Sequence, residues 1–273
     1  METVQIDILI TSSEQGEIIT AELADFGFHG FQQNEKILSA FILKNLFDEN
    51  VCQSILSKFE LQNSKRIIAN YNWNQQWENE FKPVVIDSFV AVRASFHQPI
   101  VGVDHEIIIT PKMSFGTGHH ATTLLMLQQM REINFQNKRV LDFGTGTGVL
   151  AILASKMGAS SVTAIDNDDW SLENASENIK VNNCSNILLQ RKSSILSLGR
   201  FDIILPNLNL NALTASAINF KTAGHACTEI MLSGILSGDK KILINAFSKV
   251  GLTYKSIKEK EGWISMKFYM KNE

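Results

Sequence analysis

The hydrophobic residues of the first 70 positions follow the pattern of a small α+β module. Every second residue is hydrophobic at the start of the chain, as expected of a half-buried strand: Val4, Ile6, Ile8 and Ile10. A helical segment follows, between an N-cap at Ser12 or Ser13 and a C-terminal Gly27. Further along, the pattern predicts strands near 28–32 and 36–43, a helix near 48–59 and a strand at 66–71. This βαββαβ order is that of a ferredoxin-like domain.

A short connector separates this module from the rest of the chain. Trp73 and Trp77 lie four residues apart, on one face of a predicted helix that Pro83 ends. We expect the two rings to be buried anchors and residues 73–82 to be a helical linker. Strands predicted near 89–96 and 106–110 come next.

From residue 139 onward, short continuous hydrophobic runs alternate with helical segments. Such runs are typical of strands in a parallel sheet that helices cover on both faces. The last 20 residues instead predict two strands joined by a turn at Glu261–Gly262. For residues 83–273 we therefore expect a seven-stranded, mostly parallel, Rossmann-like sheet with an antiparallel edge hairpin, preceded by the small α+β ferredoxin-like domain in residues 1–72.

Composition places the chain among soluble globular proteins, since 44% of the 273 residues are hydrophobic and 19% are charged. No hydrophobic run approaches the ~20 residues of a membrane helix, and the first residues lack the basic start of a signal peptide. The three cysteines are too few and too scattered for a disulfide framework or a structural zinc site. We expect a cytoplasmic protein that binds no membrane and no metal.

Charge is distributed unevenly along the chain. Residues 1–60 carry ten acidic and three basic side chains, a net charge of −7, whereas the whole chain carries only −3. An acidic module repels a phosphate backbone and attracts a basic partner. A merely solubilising surface is the alternative.

The segment after residue 139 contains a glycine-rich loop between a strand and a helix, an arrangement that holds a nucleotide cofactor at the carboxyl end of a sheet. Its glycines are Gly144, Gly146 and Gly148, so the third comes too early for a dinucleotide fingerprint. No Gly-Lys-Ser/Thr of a phosphate loop follows. With Asp142 the loop completes Asp-x-Gly-x-Gly-x-Gly, the pattern of S-adenosylmethionine-dependent methyltransferases. The Asp142 carboxylate can attract the ammonium group of that cofactor.

Two further polar residues end strands of the predicted sheet. Asp166 ends the second strand, where a carboxylate can accept hydrogen bonds from ribose hydroxyls; a cap for the next helix is the alternative. Asn207 ends the strand FDIILPN, where an amide carbonyl can accept the hydrogens of an amine and aim its lone pair at a methyl group. The alternative for Asn207 is the N-cap of the next helix, since NLNLNAL contains three asparagines.

One loop is more specific than the glycine motif. The segment PKMSFGTGHHATT at 111–123 precedes the glycine loop, and AIDND, the pair Asn207–Leu208 and LSGIL follow it in order. In these motifs the chain resembles the bacterial methyltransferases of ribosomal protein L11. The resemblance is dense from Trp73 to Gly238 and weak in the first 70 residues.

The resemblance implies S-adenosylmethionine as cofactor, with contacts at Thr123, Gly144, Asp166 and Asn207. We add Asp142 and Gly146 of the glycine loop to the cofactor site and assign the catalytic role to Asn207. The first Phe-Gly-Thr-Gly then belongs to a flap, residues 114–120, over the cofactor, and the second belongs to the cofactor loop.

The implied reaction is methylation of lysine side chains and the N-terminal α-amine of ribosomal protein L11, held by the acidic module. We expect a monomer without direct nucleic-acid binding. Pro206 shifts the motif towards enzymes that methylate RNA or DNA, or glutamine of another translation protein, but Leu208 replaces the aromatic residue that would stack a flipped base. A ribosome-assembly factor without catalysis is a second alternative.

Three other residues attract attention near these motifs. His119 and His120 suggest a base or a metal ligand, but no spacing supports a metal, so we expect hydrogen-bonded loop histidines. Trp170 could cover an adenine, although packing on its own helix is the expectation. No general base is identified.

Overall fold

The computed structural model describes residues 2–34, 36–59, 61–68, 81–112 and 114–270. The chain divides into two compact units, Met1–Phe81 and Lys82–Glu273. Most of the predicted linker helix 73–82, including Trp73 and Trp77, lies outside the described residues, which omit 69–80. Within the described ranges, no helix is both long and apolar enough to cross a membrane.

The first unit has the predicted ferredoxin-like order: β1 Thr3–Leu9, α1 Ser13–Ala24, β2 Gly30–Gln33, β3 Ile37–Leu43, α2 Glu49–Ser57 and β4 Asn63–Ile68. Its sheet has the strand order β2-β3-β1-β4, and all neighbouring strands are antiparallel. Ser12 is the N-cap of α1, since its hydroxyl accepts the Gln15 N–H at 3.2 Å. The alternate residues of β1 that the pattern singled out are buried against helix residues such as Ile19 and Leu56.

The second unit begins with a three-stranded sheet of β5 Val84–Ile86, β6 Val90–Ala94 and β7 His105–Ile109. The last two strands are those predicted near 89–96 and 106–110, and they pair in parallel. Strand β7 leads through the flap into α3 Ala121–Met130.

The large sheet has seven strands in the order β10-β9-β8-β11-β12-β14-β13, which confirms the predicted fold class. Its strands are β8 Arg139–Phe143, β9 Ser161–Asp166, β10 Ile187–Arg191, β11 Ile203–Pro206, β12 Glu229–Leu236, β13 Leu252–Lys260 and β14 Trp263–Met270. Its helices are α4 Val149–Lys156, α5 Asp169–Val181, α6 Leu210–Ala215, α7 Ala217–Ala223 and α8 Lys240–Lys249, with a 3-10 turn at Ser237–Asp239.

The predicted hairpin is β13 and β14, whose turn has left-handed backbone at Glu261 and Gly262 (φ 53° and 76°). Strand β14 is antiparallel to both β12 and β13, so the reversed strand lies inside the sheet and β13 forms the edge. Strand β8, next to the central strand β11, pairs in parallel with both β9 and β11. The strand order reverses there, and the carboxyl ends of these three strands form the crevice where such sheets bind ligands.

Candidate active site

A cavity of about 420 Å³ lies at the carboxyl ends of β8, β9 and β11, and its lining includes Gly144, Gly146, Asp166, Lys192 and Asn207. Pockets of this size are typical of small-molecule sites. Four of the six predicted site residues therefore meet at one cavity. The other two do not line it: Thr123 contacts the lining residue Asn207, and Asp142 is buried with hydrogen bonds to Thr145 and Ala151.

The backbone conformation and the surroundings of the two lining glycines explain why these positions are glycine. Both have left-handed backbone, with φ of +75° at Gly144 and +53° at Gly146. A Cβ atom at Gly146 would lie 2.2 Å from the carbonyl oxygen of Phe115 in the flap, and one at Gly144 would lie 2.5 Å from the Leu208 side chain. At Gly146 only glycine lets the flap backbone approach this closely, whereas at Gly144 the left-handed backbone is what favours glycine.

Asp166 ties the end of β9 to the glycine loop. One carboxylate oxygen accepts the N–H of Gly146 at 3.0 Å, and the other accepts the N–H groups of Asn167 and Asp168 at 2.8 and 3.1 Å. The alternative role as a helix cap is wrong, because Asp168 caps α5 by accepting the Ser171 N–H at 2.8 Å. Each carboxylate oxygen has more than one acceptor direction, so Asp166 can still bind hydroxyl groups in the cavity.

Asp142 is fully buried under the glycine loop. One oxygen accepts the Thr145 hydroxyl at 2.6 Å and the Ala151 N–H at 3.2 Å, while Oδ1 has no partner among the described residues. Burial raises the pKa of Asp142 to about 7; the bonds from Thr145 and Ala151 oppose this shift and the charge of Asp166 adds to it. A buried carboxyl with an unused oxygen can accept a hydrogen bond or pair with a cation.

Asn207 presents an unpartnered amide oxygen at the end of β11. Its Nδ2 donates to the Thr123 hydroxyl on α3 at 3.5 Å, and its Oδ1 is buried without a partner in the described structure. The helix-cap alternative is wrong here too: Asn209 caps α6, since its side chain accepts the Ala212 N–H at 2.9 Å. The contact with Thr123 leaves the carbonyl of Asn207 available to a ligand.

The two histidines have hydrogen-bonded loop positions, as expected. Nε2 of His119 lies 2.8 Å from the Lys82 carbonyl oxygen. His120 is the N-cap of α3, and its ring lies between those of Phe115 and Trp263, at centroid distances of 5.0 and 4.9 Å. No group of three or more potential metal ligands occurs among the residues that the structure describes.

Trp170 departs from the prediction. Its side chain is 76% exposed, so it does not pack on its helix. With Phe115 it lines a second cavity of about 500 Å³ beside the first.

Thr147 in the glycine loop was not predicted as a site residue. Its N–H donates to the Phe115 carbonyl at 2.9 Å, and its hydroxyl donates to the Gly116 carbonyl at 2.6 Å. With the close approach of Gly146 to the Phe115 carbonyl, these bonds hold the first Phe-Gly-Thr-Gly segment against the second and the residue that follows it.

These residues fit S-adenosylmethionine. Asp166 at the cavity wall would accept the ribose hydroxyls, and the unused oxygen of Asp142 would face the ammonium group. The free carbonyl of Asn207 would lie near the reacting methyl group. Asp166 and Asn207 line the cavity at the ends of two strands, and Asp142 lies buried beneath the glycine loop between them, close to the end of a third strand.

Comparisons with known proteins identify the family of this chain. A family model described as ribosomal protein L11 methyltransferase matches residues 8–271. A ribosomal protein L11 methyltransferase from Porphyromonas gingivalis is 38% identical over 260 residues, covering 92% of this chain and 90% of the relative. The one from Phocaeicola vulgatus is 35% identical over 263 residues, covering 93% and 94%.

A solved structure supports the same assignment. The ribosomal protein L11 methylase from Lactobacillus delbrueckii subsp. bulgaricus superposes with a TM-score of 0.66 at 26% identity, covering 70% of this chain and all of that one. The family match spans nearly the whole sequence, including the first unit, where the motifs were weakest. The chain therefore belongs to the ribosomal protein L11 methyltransferase family, whose members are enzymes that use S-adenosylmethionine.

Proposed function

We propose that this protein transfers methyl groups from S-adenosylmethionine to the lysine side chains and the N-terminal α-amine of ribosomal protein L11. The observation that carries the chemical part of the proposal is the buried, unpartnered Oδ1 of Asn207 at the cofactor cavity. Buried acceptors without a partner are rare, and such an atom in a cavity points to a hydrogen-bond donor that arrives with a ligand. An amine is a donor of this kind.

Asn207 would orient the acceptor. The bound cofactor supplies a methyl group on a sulfonium centre, which a neutral amine can attack in line with the departing sulfur. The Asn207 carbonyl would accept one amine hydrogen and so aim the lone pair at that methyl group. Thr123 would keep the amide in this orientation through its contact with Nδ2.

The acceptor amine must lose a proton, since a free lysine has a pKa of ~10.4. The cavity lining contains one carboxylate, Asp166, and that group is engaged by three backbone N–H groups. We therefore propose that the proton leaves to water rather than to a dedicated base.

The first unit would hold the substrate. Three of its lysines are already paired with acidic neighbours, in the pairs Lys44–Glu2, Lys58–Glu22 and Lys65–Glu49. Three exposed acids on or next to α1 have no ion-pair partner among the described residues: Glu14, Glu17 and Asp25. Their uncompensated charge supports a role in attracting a basic ribosomal protein.

We expect residues 1–72 to bind ribosomal protein L11 with an affinity that falls as salt rises, because opposite charges steer the two proteins together. Calorimetry at several salt concentrations measures this. Neutralising Glu14, Glu17 and Asp25 should weaken binding and flatten its salt dependence. Binding that is absent, or indifferent to salt, would contradict the electrostatic role.

Asp166→Ala should weaken cofactor binding by about 1–3 kcal/mol, because the ribose hydroxyls lose a charged acceptor. Asp168→Ala is the matched control, since it removes a neighbouring carboxylate that caps α5 and lies outside the lining of the cofactor cavity. It should cost about 1 kcal/mol of stability and leave the affinity unchanged. Wild-type affinity in a folded Asp166→Ala protein would remove Asp166 from the site.

The reaction is tested by intact-mass analysis of ribosomal proteins from cells with and without this gene. Loss of methyl groups from L11 supports the proposal. Methyl groups found instead on RNA, DNA or a glutamine of another translation protein would favour the alternative substrates. We propose that the enzyme acts as a monomer in the cytoplasm, where ribosomal proteins are made, without direct nucleic-acid contact.

A further inference from the structure

Three buried asparagines lie four residues apart along one face of α5 and its C-cap: Asn174, Asn178 and the C-cap Asn182. Their burial requires that their amide groups find partners, because an unpaired buried amide is costly.

The amides pair with the edge of β7 that faces away from β6. Asn182 donates to the Ile108 carbonyl at 2.6 Å and accepts the Ile108 N–H at 3.0 Å. Asn178 accepts the Thr110 N–H at 2.8 Å, and Asn174 donates to the Thr110 carbonyl at 2.9 Å. The asparagine ladder therefore takes the place of a neighbouring strand at the point where the chain enters the flap.

Asn178 links this asparagine ladder to the glycine loop. Its Nδ2 also donates to the carbonyl oxygen of Thr147, in the middle of the glycine loop, at 2.8 Å. Thr147 is fully buried and in turn donates two hydrogen bonds to the flap, from its N–H to Phe115 and from its hydroxyl to Gly116. Asn178 and Thr147 thus connect the strand before the flap, the cofactor loop and the flap itself.

We propose that Thr147 and Asn178 are positioning residues for cofactor binding, which hold the flap against the glycine loop. Phe115 lines the cofactor cavity, so the position of the flap sets the shape of one cavity wall. Holding that wall in place before the cofactor arrives lowers the ordering cost of binding. The inference rests on cofactor binding in this cavity, as in the proposed function.

The hydroxyl of Thr147 is tested by two substitutions of similar size. Thr147→Val removes the bond to Gly116 and should raise the Kd for S-adenosylmethionine about tenfold, as expected for one lost hydrogen bond. Thr147→Ser keeps the hydroxyl and should stay within about twofold of wild type. Equal losses in both variants would overturn the positioning role of Thr147.

Asn178→Asp and Asn182→Asp form the second pair. Each substitution keeps the side-chain oxygen that accepts a backbone N–H, from Thr110 or Ile108, and removes the donated hydrogen bonds. Of the two residues, only 178 contacts the glycine loop. Both should lower the melting temperature, whereas only Asn178→Asp should raise the Kd about tenfold and speed hydrogen exchange in residues 114–123 without cofactor. Two variants with the same Kd would overturn the inference. If the wild type in the same titration does not bind the cofactor, the proposed function fails instead.

Discussion

Asn207→Ala should lower the kcat of methyl transfer by about 10²–10³-fold, the range found for other preorganised polar groups. The loss is expected in turnover, because the proposed role of the Asn207 carbonyl is to orient the acceptor amine at the methyl group. Cofactor affinity should fall only modestly. Single-turnover rates with saturating cofactor separate the two effects.

Asn211→Ala is the matched control. This asparagine is exposed on α6, four residues further along the same segment, and lies outside the cavity lining, to which Asn209 belongs. Its loss should leave both the stability and the turnover nearly unchanged. Near-normal turnover in Asn207→Ala, or an equal loss in both variants, would exclude the orienting role.

Asn207→Asp tests the effect of a negative charge at the position of the amide. A carboxylate at this position would attract a protonated amine and keep it charged, so substrate binding could survive while methyl transfer falls at neutral pH. The same single-turnover assay, run at rising pH, should then show a partial recovery as the amine loses its proton.

Much of the site could be predicted because it depends on strand ends. Asp142, Asp166 and Asn207 are far apart in the sequence, yet parallel strands bring their carboxyl ends to one edge of the sheet. The glycine spacing then specified the cofactor class, and the flap motif specified the family. These signals are local in the sequence, so they need no knowledge of which strands are neighbours.

What could not be predicted depends on contacts between distant segments. The burial of Asn178 and Asn182 has no signal in the sequence, because the sequence does not show that β7 lies beside α5. Trp170 was expected to be packed, but helical periodicity gives a face without showing what covers it, and the ring is 76% exposed. The burial of Asp142, which sets its pKa, follows from the same tertiary packing.

Asp142→Asn should weaken S-adenosylmethionine binding by about 2–4 kcal/mol at about pH 8, because we propose that the ionised Asp142 is the partner of the cofactor ammonium. Calorimetry measures the Kd, and the melting temperature without cofactor checks that the variant is folded. An unchanged Kd would mean that the unused oxygen of Asp142 does not face the cofactor.

The contribution of Asp142 to S-adenosylmethionine binding should depend on pH. Since burial raises the pKa of Asp142 to about 7, the carboxylate is ionised above that pH and protonated below it. An α-ammonium group stays charged below about pH 8, so wild-type affinity should fall from about pH 7.5 to about pH 5.5. The affinity of Asp142→Asn should be flat over this range.

The cofactor-free protein gives an independent measurement of the same titration. The folded pKa lies above the unfolded value of 3.8, so the native state holds the proton more tightly. The contribution of Asp142 to the free energy of unfolding should therefore fall as the pH rises from about 4 to about 7, and this slope should be missing in Asp142→Asn.

Thr145→Val identifies the titrating group. The Thr145 hydroxyl donates to Asp142 at 2.6 Å and lowers the pKa of that carboxyl, so its removal should raise the pKa further. The fall in cofactor affinity should then begin at a higher pH than in the wild type, although residue 145 itself does not titrate. Titrations of wild type and Thr145→Val in the same buffers compare the two midpoints. Equal midpoints would assign the pH dependence to a group other than Asp142.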